Sequence, residues 1–207
     1  MRKSVILLSV IFIMAAGALP AIAQEKTAPA QEQPAPDPQM LAMMAAFENY
    51  GTPGPEHNLL LDGVGDWDLE SKVWMDPAAP PTVVKGKAVH RAILDGRYVQ
   101  YNMEGEMLGR PYTGYGITGY DRYNKKYVSL WLDNWGTGFY TTEGTADVAG
   151  KVRTETGSWD DYMTGKTMKV KNVYTHLSRD KFTMEMYMVQ PDGKEMKTME
   201  LTYTRKK

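Results

Sequence analysis

The chain contains no cysteine among its 207 residues. That excludes a disulfide framework and any thiolate metal site, and it removes the lipidated cysteine that tethers an exported bacterial lipoprotein. Histidine is scarce: only His57, His90 and His176 occur, and no two have the spacing of a helical metal motif. An excess of one charge is lacking too, since acids and bases are interleaved and the formal net charge is −1. Nucleic-acid binding needs a concentrated basic face, and the one basic run, Arg205-Lys206-Lys207, reads as a solvated end. Catalytic signatures are also missing. There is no Gly-x-Ser-x-Gly elbow and no serine–lysine pairing, and spacing alone does not pair Asp133, Asp147, Asp160 or Asp161. No residue is assigned a catalytic role.

What is present begins with a leader. Arg2-Lys3 precede an apolar run from Val5 to Leu19, followed by Pro20 and Ala21-Ile22-Ala23. This is the charged, apolar and small-residue order of a secretory signal, with cleavage expected after Ala23. A retained anchor is the alternative, but the run is short for a bilayer and Pro20 breaks its end. The expectation is a periplasmic or secreted protein with no membrane anchor once the leader is removed. Without disulfides its stability rests on burial. The region after the linker, about 150 residues, can bury roughly two-thirds of its unfolded surface, enough for one core.

Residues 24–37 are rich in Gln, Glu, Pro and Ala, the composition of a flexible linker. Asp37-Pro38 supplies a cap and a proline at the first helical position. Met40, Leu41, Met43, Met44 and Phe47 then recur at helical spacing up to Gly51. This predicts a short amphipathic helix that packs on the main domain or plugs one end of it. Binding a partner or a membrane is the alternative, because methionine-rich faces adapt to varied surfaces. Residues 51–55 form a breaker-dense joint, and Glu56 to Leu61 have room for one more helical turn.

From residue 56 to the end, period-two alternation dominates. Trp67, Leu69 and Val73 fall opposite Asp66, Asp68, Glu70 and Lys72, and Met199, Leu201, Tyr203 and Arg205 share a face of the last strand. Turn chemistry recurs between such runs, at Asp95-Gly96, Gly109, Asn124-Lys125, Gly150 and Asp192-Gly193. No crossover helices intervene, so a parallel sheet is excluded. The fold class is all-β: an antiparallel up-and-down barrel of about nine or ten strands, preceded by the short helix.

Three faces point to the interior. Phe182, Met184, Met186 and Met188 share one, Met168, Val170, Tyr174 and His176 a second, and Tyr127, Ser129, Trp131 and Asp133 a third. A lumen lined by soft apolar, aromatic and hydroxyl groups suits a small hydrophobic or amphipathic molecule. A core filled with methionine is the alternative. The candidate ligand-binding residues are Tyr115, Trp131, Tyr174, His176, Met184 and Met186. No cofactor is expected, with haem or a metal on His90 or His176 as the alternative. Gly114-Tyr-Gly116-Ile-Thr-Gly119 matches a dinucleotide-binding pattern, but a β run follows it instead of the helix that phosphate binding requires.

Several segments in order carry a family resemblance. They are Gly54-Pro-Glu-His57 with Leu60, Gly65-Asp-Trp67, Leu94-Asp-Gly-Arg97, and Gly119-Tyr-Asp121 with Lys126-Tyr-Val128 and Trp131. Gly144 with Asp147 and Gly150, Thr164-Gly165 and Pro191-Asp-Gly-Lys194 complete the set. From about Gly54 to Arg205 the chain resembles DUF1579, a family of exported bacterial proteins defined only as a domain of unknown function. The resemblance implies a calycin-like barrel, related in shape to lipocalins, and no catalytic residues. In lipocalin-type barrels a tryptophan at the closed end is covered by a basic side chain from a late strand. Here Trp67 and Arg205 are placed to close the barrel in that way.

Overall fold

The computed structural model describes residues 37–161 and 164–207. The expected leader, and the linker up to residue 36, lie outside the described residues. Two helices, α1 (Pro38–Gly51) and α2 (Pro55–Leu61), precede ten strands. These are β1 (Gly65–Val73), β2 (Thr82–Ile93), β3 (Tyr98–Met107), β4 (Arg110–Asp121), β5 (Lys126–Asp133), β6 (Tyr140–Ala146), β7 (Val152–Asp161), β8 (Lys166–Ser178), β9 (Lys181–Val189) and β10 (Glu195–Arg205). Each strand pairs antiparallel with its neighbours in sequence, and β1 pairs with β10 to close the barrel. The hairpin turns fall where the sequence places them. Leu94, Asp95 and Gly96 have φ of 49°, 55° and 81°, and Lys125, Gly150 and Gly193 also have positive φ.

Outward faces carry ion pairs between strands. Lys72 reaches Glu200 at 2.9 Å, and Lys197 reaches Glu185 at 2.6 Å and Glu200 at 2.8 Å. A charged exterior suits a barrel standing in water, since one spanning a membrane presents an apolar band to lipid.

The two helices behave differently. Asp37 caps α1 through a 2.9 Å bond from the Gln39 amide, as the sequence predicts. No residue of α1 is buried, however, and Met40, Leu41, Met43, Met44 and Phe47 are all exposed. The expectation that this helix packs on or plugs the barrel is therefore wrong. Its apolar residues meet no complementary surface, and it is held at its end by polar and ring contacts. Arg122 donates to the carbonyls of Asn49 and Thr52, and Tyr50 meets Tyr123 edge to face. The plug is α2. Leu60 is buried with Val99 and Tyr127, while Leu59, Leu61 and Val64 pack around them. The Tyr127 hydroxyl donates to the Glu56 carbonyl at 3.0 Å, and the Gly54 amide donates to His57 Nδ1 at 2.9 Å.

Beside α2, one cation ties the barrel's ends together. The Arg205 guanidinium lies 4.2 Å from the Trp67 ring, so the closure expected of this pair is present. It donates to the carbonyls of Val64 at 2.7 Å, Asp62 at 2.8 Å and Arg179 at 3.0 Å. Gly65 makes the room: its φ is +148°, and a Cβ there would collide with Arg205 Nη1. Trp67 is 1% exposed, and its indole N–H donates to the Gly63 carbonyl at 3.0 Å. His90 Nδ1 lies 3.0 Å from the same carbonyl. Because that oxygen only accepts, Nδ1 carries the proton in the neutral ring. Burial drops the His90 pKa from 6.5 to about 4.

Two predictions follow from this closure. Gly65→Ala should cost about 3 kcal/mol in denaturant unfolding, from backbone strain and a displaced guanidinium. Placed on Arg205→Ala, the same substitution should cost clearly less, because the collision has gone. The second concerns pH. The unfolded chain protonates His90 near 6.5, whereas the folded state keeps it neutral down to about 4. Stability is therefore fully present above pH 6.5 and falls through that interval, by an amount on the order of 3 kcal/mol. Urea unfolding of His90→Asn should show a much flatter slope between pH 6.5 and pH 4 than the unaltered chain.

Candidate functional site

Residues paired across antiparallel strands point to the same side of a sheet, so the register identifies the lumen wall. One row runs Ser71, Leu201, Met184, Tyr174, Arg153, and the next runs Met199, Met186, Asn172, Glu155, Gly144, Tyr127. Towards α2 the interior is packed. Trp67, Leu69, Ala88, Met103, Phe182, Met184, Leu201 and Tyr203 form one buried cluster, with Phe182 stacked on Tyr203 at 4.1 Å. Farther along the strands the inward residues Trp131, Tyr140, Tyr174, Met186 and Met199 are only half-buried. These inward side chains keep some accessible surface towards the end away from α2, while Trp131, Tyr174, Met186 and Met199 still pack against the buried cluster.

The two sides of this lumen differ. Leu201, Met103, Met184, Met186 and Met199 make an apolar wall on β3, β9 and β10. Beside it, with Asn172 paired directly to Met186, β6 to β8 contribute Thr142, Arg153, Glu155 and Asn172, all buried at 5% exposure or less. Charged side chains are almost never buried to this extent without a partner. The Thr142 hydroxyl donates to Glu155 Oε2 at 2.6 Å. Arg153 Nε lies 3.3 Å from Glu155 Oε1, an ion-pair distance without hydrogen-bond geometry. The Arg153 guanidinium sits 4.1 Å from the Tyr174 ring and 5.2 Å from that of Tyr127. Burial opposes its charge, but Glu155, Tyr101 and Tyr174 outweigh burial and hold Arg153 protonated above the ordinary arginine range. Tyr101 also favours the charged form of Arg153, and Asn172 offsets part of the rise at Tyr140. Burial raises the Tyr140 and Tyr174 hydroxyls, so both remain phenols that can donate.

Among the described residues, three buried side-chain atoms have no hydrogen-bond partner: Arg153 Nη1, Glu155 Oε1 and Asn172 Oδ1. All three belong to this wall. Leaving such a group unpaired costs about 1–3 kcal/mol, more when it is charged. In folded proteins such atoms are satisfied by a buried water or by a bound molecule.

The sequence-predicted residues divide accordingly. Trp131 faces the lumen, its indole lying over Gly114 and Gly116 where any Cβ would strike the ring, and its N–H reaches Asp133 Oδ2 at 3.3 Å. The Tyr112 hydroxyl donates to the same oxygen at 3.0 Å. Those two glycines thus seat an aromatic ring inside a strand, and the nucleotide pattern has no helix to open. Tyr174 and Met186 line the lumen, while Met184 belongs to the packed part beneath it. His176 lies at the packed end, stacked on Phe182 at 5.7 Å, and burial lowers its pKa. Tyr115 is a correction. Gly114 and Gly116 occupy the inward positions of β4, so alternation turns Tyr115 outward, where it is 45% exposed. Sequence reading missed Arg153, Glu155 and Asn172. The available signal was phase: Asn172 lies between Val170 and Tyr174, and Glu155 shares the face of Gly157 and Trp159.

Among the described residues no group of three or more histidines and carboxylates is placed to hold a metal ion. Haem on His90 finds little room, because the rings of Tyr101, Tyr203, Trp67 and Phe182 lie 4.6–5.9 Å from the imidazole.

No curated protein matches the chain. Among solved structures, Rv2717c from M. tuberculosis is similar at a TM-score of 0.55 and 14% identity, over 75% of this chain and all of that one. The redesigned β-barrel b11L5F_LGL matches at a TM-score of 0.38 and 14% identity, over 73% of this chain and 96% of that one. These likenesses concern the barrel and not its contents. The family model described as a protein of unknown function (DUF1579) matches residues 52–205, from the joint before α2 to the last residue of β10, and the chain belongs to that family.

Proposed function

We propose that this protein is an exported, non-enzymatic barrel that binds a small amphipathic molecule in its lumen. The observation that supports the reading is the mixed lining of the interior: methionine and leucine side chains on β9 and β10 adjoin buried polar groups on β6 to β8, and several inward side chains keep accessible surface. A pocket that is mostly apolar, with a few convergent polar groups, is the usual form of a small-molecule site. The mouth is the end away from α2, since Trp67, Arg205 and α2 seal the other. Methionine suits such a wall because its flexible thioether adapts to ligand shape.

Haem ligation by His90 is the other reading. It is favoured by the Nδ1 contact with the Gly63 carbonyl, which leaves Nε2 as the acceptor nitrogen of a neutral ring. The aromatic packing around that ring supports it less than the lumen supports an amphipathic ligand.

Native mass spectrometry of protein purified from its own host should show a chain beginning at Gln24 with a bound small molecule. A Soret band in that sample, lost in His90→Ala, would establish haem instead. With purified protein, the neutral dye N-phenyl-1-naphthylamine should gain fluorescence. Met186→Glu, which places a charge on the half-buried apolar wall, should weaken its binding at least tenfold while leaving the far-UV spectrum unchanged. Equal dye binding by both proteins would remove the lumen as the site.

A further inference from the structure

The unpartnered atoms on the polar wall describe the ligand's head group. They comprise one donor nitrogen, Arg153 Nη1, and two acceptor oxygens, Glu155 Oε1 and Asn172 Oδ1. The partner that satisfies all three supplies one acceptor and two donor hydrogens. Charge narrows the choice. Arg153 and Glu155 already pair with each other, and Asp133, held by Tyr112 and Trp131, is a further acidic group in the inward phase of β5. His90 and His176 offer no compensating cation, since burial lowers the pKa of both. A carboxylate head would bring a second negative charge against Glu155 in a water-poor site. An ammonium head would meet Arg153 and leave its nitrogen unpaired.

We infer that the lumen selects an uncharged amphiphile whose head is a primary carboxamide or a group with the same hydrogen-bonding pattern. The head carbonyl accepts from Arg153 Nη1, its two N–H groups donate to Glu155 and Asn172, and its aliphatic tail lies along Met186 and Met199. The inference rests on the amphipathic-lumen reading and specifies which head that lumen accepts.

Calorimetric titration with decanamide, decanoate and decylamine at pH 7 tests it, since the three share a tail and differ only at the head. Decanamide should bind at least tenfold more tightly than either of the others. Glu155→Gln removes the repulsion and leaves Arg153 without a counter-charge, so the preference should shift towards decanoate by tenfold or more. Decanoate or decylamine binding the unaltered protein as tightly as decanamide overturns the inference without any variant having to fold. So does an unchanged preference in folded Glu155→Gln. If N-phenyl-1-naphthylamine binds but the three heads are not distinguished, the head assignment fails and the lumen reading stands. If neither the dye nor any of the three binds, both fail.

Discussion

The guanidinium of Arg205 on the indole of Trp67 is the contact on which the rest of the barrel depends. It joins the start of the first strand to the end of the last, and its N–H groups reach carbonyls both before β1 and between β8 and β9. A cation on an aromatic face contributes about 0.5–2 kcal/mol, more where water is excluded. Its larger effect is topological. With β1 and β10 paired from Trp67 to Val73 no strand edge remains exposed. The end beside α2 is also sealed, so His90 is kept dry and any ligand must enter from the opposite rim.

Sealing one end changes the electrostatics of everything above it. A buried ion pair such as Arg153–Glu155 contributes little net stability, because desolvation offsets its attraction. Well-packed apolar residues of the same volume would serve folding as well or better. This barrel nonetheless places arginine, glutamate, asparagine and threonine side by side on β6 to β8, with three polar atoms left over. On the other side it uses methionine, the least shape-committed of the large apolar residues. Neither choice optimises a filled core. Together they make an interior lining that is polar on β6 to β8 and soft and apolar on the adjoining β9 and β10.

Much of the architecture was legible because its determinants are local. Alternation set the strands, Asp-Gly and Asn-Lys pairs set the turns, and Gly65-x-Trp67 with Arg205 marked the closure. The site was harder to read, for a reason visible in β4 and β7. In β4 the inward positions include Gly114 and Gly116, which have no side chain to show which face is inside, so Tyr115 looked like part of the lining. In β7 the inward positions carry Arg153 and Glu155, and charge ordinarily marks the outside. Only the register, which sets Arg153 opposite Tyr174 and Glu155 opposite Asn172, fixes the phase, and register is not a local property. α1 shows the opposite failure: a helical apolar pattern was present, but no surface was there to receive it.

The segments through which this chain resembles its family fall largely at the sealed end. His57 and Leu60 belong to the α2 plug, Gly65 and Trp67 to the clamp, Gly96 approaches Leu61, and Gly150 approaches Leu59. None of those segments contains Arg153, Glu155 or Asn172. Those segments account for how such a barrel is closed, whereas Arg153, Glu155 and Asn172 lie on β7 and β8, within the residues the family model matches but outside the segments named. A shared barrel fold, at 14% identity, says nothing of a shared function. Whether the buried polar groups of β7 and β8 are paired is decided in the inward phase of those strands, by each residue's neighbour across the sheet.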